Sequence, residues 1–379
     1  MRILFYTVNG KGLGHLMRAL AIARAVVRQA PESHILFVTS CEDPGVVWRE
    51  GFHYVKVPAP EAMPALGLGR EGHRDLVHRL VRTTFSNFRP DILVVDSFAY
   101  GSVGELRQVL NGIWRRVLVS NLFLLLRDVV RYRESVSRYE LLIYPFTQPE
   151  AAGHPALDGI KTPILFAGPI AGIAREDVLP RAEARSILGL PEEGRIVLVA
   201  TGGGGGASVQ PVLARAFETV PLLPDLGFAF LDPPLARWSS PVQWRANLRI
   251  VRRVPIAPYL GAFDAAVSTA GMNSGTELMV AGVPTVWLPL GAPSNDQEKN
   301  VRRWTERGVG ITPADGSPAA LADAIRRVLD PERATAIRRA MAKMAQADGA
   351  STAASAILGL TPPNWPQRRN DANGDAQGW

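Results

Sequence analysis

The chain has 379 residues, of which 47% are hydrophobic and 20% charged, and this apolar content excludes collagen-like, low-complexity and wholly disordered classes. The single cysteine, Cys41, excludes a disulfide-stapled scaffold. The net charge of +7 is spread along the chain without a run of five basic residues, which argues against a nucleic-acid partner and fits acidic small molecules.

Short apolar runs alternate with amphipathic stretches in the first half of the chain. Buried strands are predicted at 3–8, 35–39, 92–95 and 117–120, with helices at 16–28 and 74–85. This β-α-β alternation predicts a doubly wound parallel sheet. The apolar stretch at the N-terminus is too short for a signal peptide, and no apolar window is long enough to span a membrane, so we expect a cytoplasmic protein.

The same alternation returns in the second half of the chain. Strands are predicted at 196–200, 228–231, 248–251, 265–268 and 285–288, and helices at 209–220, 276–281, 297–307, 318–329 and 332–346. The repetition predicts two domains, 1–168 and 169–360, joined by a Gly-, Pro- and Ala-rich linker at 168–180. The tail 361–379 has no periodicity and is predicted to be disordered.

Two glycine-rich loops each lie between a predicted strand and a predicted helix. The first contains Gly12 and Gly14 and ends at His15, but its spacing differs from the dinucleotide fingerprint. The second, 202–206, is five consecutive glycines, whose amides suit a phosphate site. It lacks the Lys-Ser/Thr ending of a P-loop. The alternatives are a tight turn for the first loop and a flexible connection for the second.

A third polar segment, 268–277, also follows a predicted strand. We expect Ser274 or Thr276 to cap the next helix, which would place Glu277 in its first turn. A carboxylate that only complements the helix dipole is the alternative for Glu277.

The fourth segment, 289–300, contains Asp296 and Gln297, which are suited to hydrogen-bonding sugar hydroxyls; Asp296 is alternatively a helix N-cap. Ligands of open α/β sheets bind beyond the carboxyl ends of the strands. All four segments are predicted to lie there, which favours a shared ligand site.

Several segments together resemble a known enzyme class. Gly-Leu-Gly-His at 12–15, with Ala-Leu-Ala-Ile-Ala at 19–23, resembles the N-terminal signature of MurG-type and UDP-glucuronosyltransferase-like enzymes. Segment 270–277, with Ala-Gly-Val-Pro at 281–284, resembles their donor-binding signature. Asp296-Gln297 with Asn300 resembles their donor-sugar element, and Gly-Pro-Ile at 168–170 resembles their linker. The chain therefore resembles a GT-B glycosyltransferase over roughly residues 1–307.

The resemblance implies an α/β fold of two Rossmann-like doubly wound domains that face each other across a cleft. The N-terminal domain would bind the hydroxyl acceptor, with 59–72 as the candidate acceptor loop, and the C-terminal domain a UDP- or dTDP-sugar. No metal and no cofactor beyond this co-substrate is implied. The expected reaction moves a hexose or amino sugar to the acceptor hydroxyl with inversion.

Residue roles follow from the same resemblance. His15 would be the general base, oriented by Asp96, for which a loop-capping carboxylate is the alternative. Gly12 and Gly14 would lie on the acceptor side. Glu277 would hold the ribose hydroxyls. The implied donor contacts as a set are Gly202, Gly203, Gly204, Gly205, Gly206, Gly271, Asn273, Ser274, Gly275, Thr276, Glu277, Asp296 and Gln297.

Two other functions stay open at this stage. The run Gly-Leu-Gly-His-Leu-Met-Arg at 12–18 also resembles nucleotide-sugar hydrolases of the same broad fold, so a hydrolase or epimerase is one alternative and a non-catalytic binding module another.

Segment 113–133 mixes apolar and basic residues. Peripheral membrane docking is one interpretation of it, and a buried strand and helix with solvated arginines is the favoured one. The sequence does not distinguish a monomer from a homodimer.

Overall fold

The computed structural model describes residues 1–8, 13–120, 129–148, 155–203, 209–232, 235, 246–290, 297–346 and 348–360. Several predicted features lie outside the described residues, namely Gly12, Gly204, Gly205, Gly206, Asp296 and the tail 361–379.

The N-terminal half contains a seven-stranded parallel sheet. The strand order is β3-β2-β1-β4-β5-β6-β7, with β4 in the centre and β1 beside it. Apolar runs with buried side chains on both faces produce this arrangement, because helices cover a parallel sheet on both sides. The strands are β1 (Arg2–Thr7), β2 (His34–Thr39), β3 (His53–Lys56), β4 (Ile92–Asp96), β5 (Arg115–Val119), β6 (Leu141–Tyr144) and β7 (Ile164–Phe166). The helices are α1 (Gly14–Gln29), α2 (Gly45–Arg49), α3 (Arg70–Phe88) and α4 (Val129–Val136).

The C-terminal half contains a five-stranded parallel sheet in the order β10-β9-β8-β11-β12. Its strands are β8 (Ile196–Ala200), β9 (Gly227–Leu231), β10 (Leu248–Val251), β11 (Ala265–Ser268) and β12 (Thr285–Trp287). Its helices are α5 (Arg181–Leu188), α6 (Val209–Thr219), α7 (Met272–Ala281), α8 (Gln297–Glu306), α9 (Pro318–Leu329) and α10 (Pro331–Met344). The expected α/β fold with two doubly wound domains is confirmed.

The chain passes between the two hydrophobic cores within the predicted linker. Ile170 packs in the core of the N-terminal sheet, and Ile173 packs in the core of the C-terminal sheet. The linker also supports the last helix, α11 (Gly349–Leu358), because the Gly349 amide donates to the carbonyl of Pro169 at 3.2 Å. A Cβ at Gly349 would collide with the linker backbone.

Helix α11 differs from the sequence-based division of the chain. That division placed everything up to residue 360 in the C-terminal domain, whereas α11 packs against α1 of the N-terminal domain. Its apolar residues Ala350, Ala353, Ala354 and Ile357 are buried there. Periodicity identifies an apolar helix face but not the surface that covers it.

The described part of segment 113–133 forms strand β5 and the start of helix α4. Val117 and Leu118 of β5 are fully buried. Arg116 pairs with Glu140, and Arg115 stacks on Trp114 at 4.1 Å. Both arginines are half-buried, and each contacts another side chain. The favoured interpretation expected them to be solvated. Among the described residues, no helix is long and apolar enough to cross a membrane.

Replacement of Ile357 by alanine tests the anchoring of α11. Ile357 is fully buried in the N-terminal core, so truncation to alanine should lower the free energy of unfolding by about 2–4 kcal/mol. Ile187→Ala is the matched control, because Ile187 is 49% exposed and should cost far less. Urea unfolding followed by circular dichroism measures both variants, and equal losses would contradict the docking of α11.

Candidate active site

The predicted pair His15 and Asp96 meets at the carboxyl edge of the N-terminal sheet. Asp96 is the last residue of β4, and His15 is the second residue of α1, the helix that follows β1. Because β1 and β4 are adjacent parallel strands, their carboxyl ends bring the two side chains together. The Nδ1 atom of His15 hydrogen-bonds the Oδ1 atom of Asp96. His15 is 20% exposed and Asp96 only 2%.

Ser97 adds a third group to this cluster. Its φ of 67° lies in the left-handed region, which is uncommon for a residue other than glycine and turns the chain sharply after β4. The hydroxyl donates to Oδ1 of Asp96 at 2.8 Å and lies 2.9 Å from Nδ1 of His15. Ser97 therefore helps to fix the imidazole ring relative to the carboxylate.

Arg18 lies beneath the pair and was given no role from the sequence. Its Nε atom donates to Oδ2 of Asp96 at 2.8 Å, and an Nη atom donates to Oδ1 at 2.7 Å. The signal that could have identified it is the i, i+3 spacing from His15, which puts both side chains on one face of α1. Arg18 is only 6% exposed, so this bidentate ion pair is buried.

The ion pair determines the charge state of Asp96. Burial by itself would raise the pKa of Asp96, but the charges and hydrogen bonds of Arg18 and His15 outweigh burial and hold the pKa well below its usual range. Asp96 is therefore a carboxylate at neutral pH. Its charge favours His15 with a proton on Nδ1, which leaves Nε2 as the ring atom that can accept another proton.

The C-terminal domain closely approaches this cluster. The side-chain amide of Asn273 donates to the carbonyl of Gly14 at 2.5 Å. On the other side, the backbone nitrogen of Leu13 would lie 3.2 Å from a Cβ placed on Gly203. Leu13 and Gly14 thus lie against Gly203 and Asn273 of the predicted donor segments across the domain junction. A side chain at Gly203 would contact Leu13 closely and would require a small shift of one of the two segments.

The donor segment folds differently in detail from the prediction. Helix α7 begins at Met272, directly after Gly271, and no side chain caps it. Ser274 and Thr276 lie inside the helix, and the Thr276 hydroxyl donates to the carbonyl of Met272 at 2.8 Å. The predicted capping by these residues is therefore wrong, and Glu277 lies beyond the first turn. The helix starts earlier because Gly271 makes the turn and accepts the Gly275 amide.

Gly275 has a packing role that the sequence did not reveal. A Cβ at this position would collide with the Trp304 ring of α8, so glycine lets the two helices pack closely. Its amide donates to the carbonyl of Gly271 at 2.8 Å. A helical hydrogen bond therefore already uses the amide of Gly275, one of the implied donor contacts.

Glu277 is 8% exposed and points at the linker. Its carboxylate accepts a hydrogen bond from the amide of Gly172, and Arg24 of α1 hydrogen-bonds the carbonyl of the same glycine. Burial raises the pKa of Glu277 to about 7, although Arg24 and the Gly172 amide each lower it. The implied ribose-binding carboxylate is thus in contact with the linker between the domains.

Gln297 and Asn300 of α8 each form a hydrogen bond to the backbone of another segment. The side-chain oxygen of Gln297 accepts the Leu290 amide at 2.8 Å. The side-chain amide of Asn300, which is 4% exposed, donates to the carbonyl of Ala270 at 2.9 Å. Asn300 therefore joins α8 to the start of the donor segment. In the described part of the chain, no group of three or more His, Cys, Asp or Glu residues is placed to hold a metal ion.

Comparisons with known proteins agree with this architecture. Residues 245–357 match the model of the glycosyltransferase family 28 C-terminal domain. Over 373 residues the chain is 27% identical to a Symbiobacterium thermophilum protein named UDP-N-acetylglucosamine--N-acetylmuramyl-(pentapeptide) pyrophosphoryl-undecaprenol N-acetylglucosamine transferase, covering 94% of this chain and 96% of the relative. A Desulforudis audaxviator protein of the same name is 28% identical over 326 residues, 79% of this chain and 82% of that one.

Solved structures share the fold at lower identity. The glycosyltransferase SnogD from Streptomyces nogalater has a TM-score of 0.65 and 19% identity, covering 95% of this chain and 100% of that one. The spinosyn rhamnosyltransferase SpnG, solved with thymidine diphosphate, has a TM-score of 0.61 and 18% identity, with the same coverage.

Two parallel-sheet domains with glycine-rich segments at their junction define a GT-B glycosyltransferase that uses a nucleotide sugar. Within that class, the family 28 match over residues 245–357 and the two relatives support a resemblance to glycosyltransferases of the MurG type. The resemblance found in the sequence is confirmed at this level.

Arg18→Gln tests the buried ion pair. Loss of the guanidinium leaves the Asp96 charge poorly compensated and should lower the free energy of unfolding by about 3 kcal/mol at neutral pH. The folded-state pKa of Asp96 lies below its unfolded value of about 3.9, so its contribution to stability is present above that pH and is lost as the pH falls towards the folded-state value. Arg18→Gln should therefore reduce the stability lost on acidification.

Urea unfolding of both proteins over a range from acidic to neutral pH gives the comparison. Arg28→Gln is the control, because Arg28 is exposed on the same helix and its replacement should stay within about 0.5 kcal/mol. An unchanged acid dependence in Arg18→Gln would contradict the role assigned to this pair.

Proposed function

We propose that the enzyme transfers N-acetylglucosamine from UDP-N-acetylglucosamine to a hydroxyl of a diphosphate-linked lipid acceptor, with inversion at the anomeric carbon and His15 as the base. The names of the Symbiobacterium thermophilum and Desulforudis audaxviator relatives support this donor and acceptor. The contact of His15 with the Asp96 carboxylate, at the junction with the donor domain, carries the proposal.

The reaction assigns a separate task to each end of the imidazole ring. Nδ1 keeps its proton towards Asp96, and Nε2 takes the proton of the acceptor hydroxyl. The acceptor oxygen forms a bond to the anomeric carbon as the bond from that carbon to the diphosphate oxygen breaks. The nucleoside diphosphate leaves with the bonding electron pair. Attack opposite the leaving group inverts the configuration.

Asp96 and Arg18 make this proton transfer favourable. The imidazolium formed on His15 lies beside a carboxylate that is already negative, so the new charge is stabilised as it develops. Because Arg18 fixes both oxygens of the carboxylate, Asp96 does not need to reorganise during the step. The amides of Gly202 and Gly203 remain candidate donors to the leaving diphosphate.

Glu277 would bind the ribose by replacing its hydrogen bond from the Gly172 amide with hydrogen bonds from the ribose hydroxyls. The carboxylate accepts the Gly172 amide in the structure, and two ribose hydroxyls would offer it donors of the same kind. This assignment makes the deprotonated form the binding form. It also connects occupancy of the donor site to the linker, since Gly172 belongs to the linker.

His15→Ala should abolish most of the transfer while leaving the donor bound. Loss of a general base lowers kcat by about 10²–10⁴-fold. Product formation from the labelled UDP-sugar measures transfer, and calorimetry measures donor affinity. His53→Ala is the control, because this histidine is exposed on β3 away from the cluster. If His15→Ala transfers sugar at the native rate, His15 has no part in the mechanism. If the native protein releases free sugar at full rate without acceptor, the protein is a hydrolase instead.

Donor affinity should depend on pH through Glu277. With its pKa raised to about 7, the carboxylate is half protonated near neutral pH, and affinity for UDP should rise as the pH increases through this range. Glu277→Gln should flatten this dependence and weaken binding about tenfold. Glu306→Gln, an exposed glutamate on α8, should behave as the native protein. Calorimetric titration at several pH values decides, and a pH-independent native affinity would contradict the ribose assignment.

A further inference from the structure

A second polar cavity lies on the N-terminal domain, between α3, segment 100–108 and the start of α4. It has a volume of about 870 Å³. Helix α3 follows β3, so its first turns lie at the carboxyl edge of the sheet, the same edge as His15. The function argued above assigns nothing to this cavity.

The lining of the cavity is strongly basic. It includes five arginines and one histidine, and its single carboxylate belongs to Asp75; the basic residues are Arg74, His78, Arg79, Arg82, Arg107 and Arg131. The guanidinium of Arg74 lies 3.7 Å from the carboxylate of Asp75 and 3.9 Å from that of Glu71. Both carboxylates therefore already interact with Arg74. We call this cavity, defined by these six basic residues, the arginine groove.

Two other arginines of the groove have no such ion pair. Within the described residues, neither Arg79 nor Arg82 has a carboxylate within salt-bridge distance. The two residues are three positions apart on α3 and so project from the same face of the helix. Like charges collected around one concave surface raise the local positive potential and attract anions. Guanidinium groups match the oxygens of phosphate in a bidentate manner, which makes phosphate the best-fitting anion.

The groove is built on the same loop as the catalytic cluster. This loop leaves β4 at Asp96 and Ser97 and then supplies the groove wall at 100–104. Near its start, the Phe98 ring lies 6.1 Å from the His15 ring and is 40% exposed. An acceptor with its hydroxyl at His15 could therefore extend along the loop towards the arginines.

The groove wall is held rigidly. The buried carboxylate of Glu105 accepts the amides of Ser102 at 3.0 Å and Val103 at 2.8 Å. Tyr6 of β1 donates its hydroxyl to the same carboxylate at 2.5 Å. His78 of α3 hydrogen-bonds the carbonyl of Val103 at 3.3 Å, which joins the helix to the wall. A preformed wall reduces the ordering cost of binding a ligand.

We propose that the arginine groove binds the phosphate groups of the acceptor substrate and thereby selects acceptors that carry phosphate near the reacting sugar. The inference rests on the proposed function, because it assumes that this domain binds the acceptor. Phosphates of a lipid bilayer offer the same chemistry from another source, and the experiment separates the two.

The test uses full-length protein and the double variant Arg79→Gln/Arg82→Gln. Inorganic pyrophosphate is the binding probe, measured by calorimetry. We expect the double variant to bind it about tenfold more weakly, because two charge-assisted contacts are lost. The control Arg333→Gln/Arg339→Gln removes the same charge from exposed positions on α10 and should bind as the native protein. Pyrophosphate bound at the donor site contributes equally in all three proteins.

Kinetics then compare a diphosphate-linked acceptor with the same sugar lacking phosphate. The double variant should raise KM for the first about tenfold, with kcat and the KM of the donor unchanged, and should match the native protein on the second. Equal pyrophosphate affinity in native and variant proteins, or no binding by the native protein, would overturn the proposal. So would a variant that retains pyrophosphate affinity but no longer sediments with phosphatidylglycerol vesicles, because the groove would then serve a bilayer.

Failure of the proposed function would give a different result. The native protein would then not transfer sugar to the diphosphate-linked acceptor, while the pyrophosphate titrations of the three proteins would still show whether the groove binds an anion.

Discussion

The buried charge of Asp96 is the constraint on which the catalytic edge of the N-terminal domain depends. A carboxylate with 2% exposure is tolerated because Arg18 binds both of its oxygens and His15 binds one of them. The three side chains come from β4 and α1, so their pairing also fixes how the first helix sits over the sheet. The same hydrogen bonds fix the orientation of the imidazole ring. The contacts that stabilise this edge therefore also position the proposed base.

The donor domain joins this edge through a close approach at a glycine and one hydrogen bond from a side chain to the backbone. Leu13 lies against Gly203, and Asn273 reaches the carbonyl of Gly14. Small residues let the two domains approach closely enough for groups of both to reach one ligand. Glu277 extends the junction to the linker, where it accepts the Gly172 amide. The proposed ribose contact and the domain connection thus converge on a single carboxylate.

Loops that leave the strands at the carboxyl edge serve more than one purpose. The loop after β4 starts with the His15 partners and continues as the wall of the arginine groove. Glu105 and Tyr6 fix that wall from within the domain. If the groove binds phosphate, one rigid loop sets the distance between the reacting hydroxyl and the phosphates of the acceptor. The backbone conformation of this loop would then determine which acceptors fit.

Both sheets were predictable, because parallel strands that are buried on both faces have continuous apolar sequences, as at 196–200 and 265–268. His15 and Asp96 were predictable as candidates because each directly follows such a run or its loop. Strands β3, β6 and β7, each only three or four residues long, were missed. The start of α7 was misplaced because polar residues at 272–276 resemble a loop until Trp304 is seen to pack against Gly275.

The sequence by itself therefore determined the two-domain fold, the edges where ligands bind and the residue types available there, because strand burial and loop chemistry are local patterns. Tertiary structure alone decided that Arg18 neutralises Asp96, that Glu277 contacts the linker, that α11 returns to the first domain and that arginines of α3 and α4 form one groove. Each of these depends on contacts between residues far apart in the chain, and such contacts are set by packing, which has no local signature.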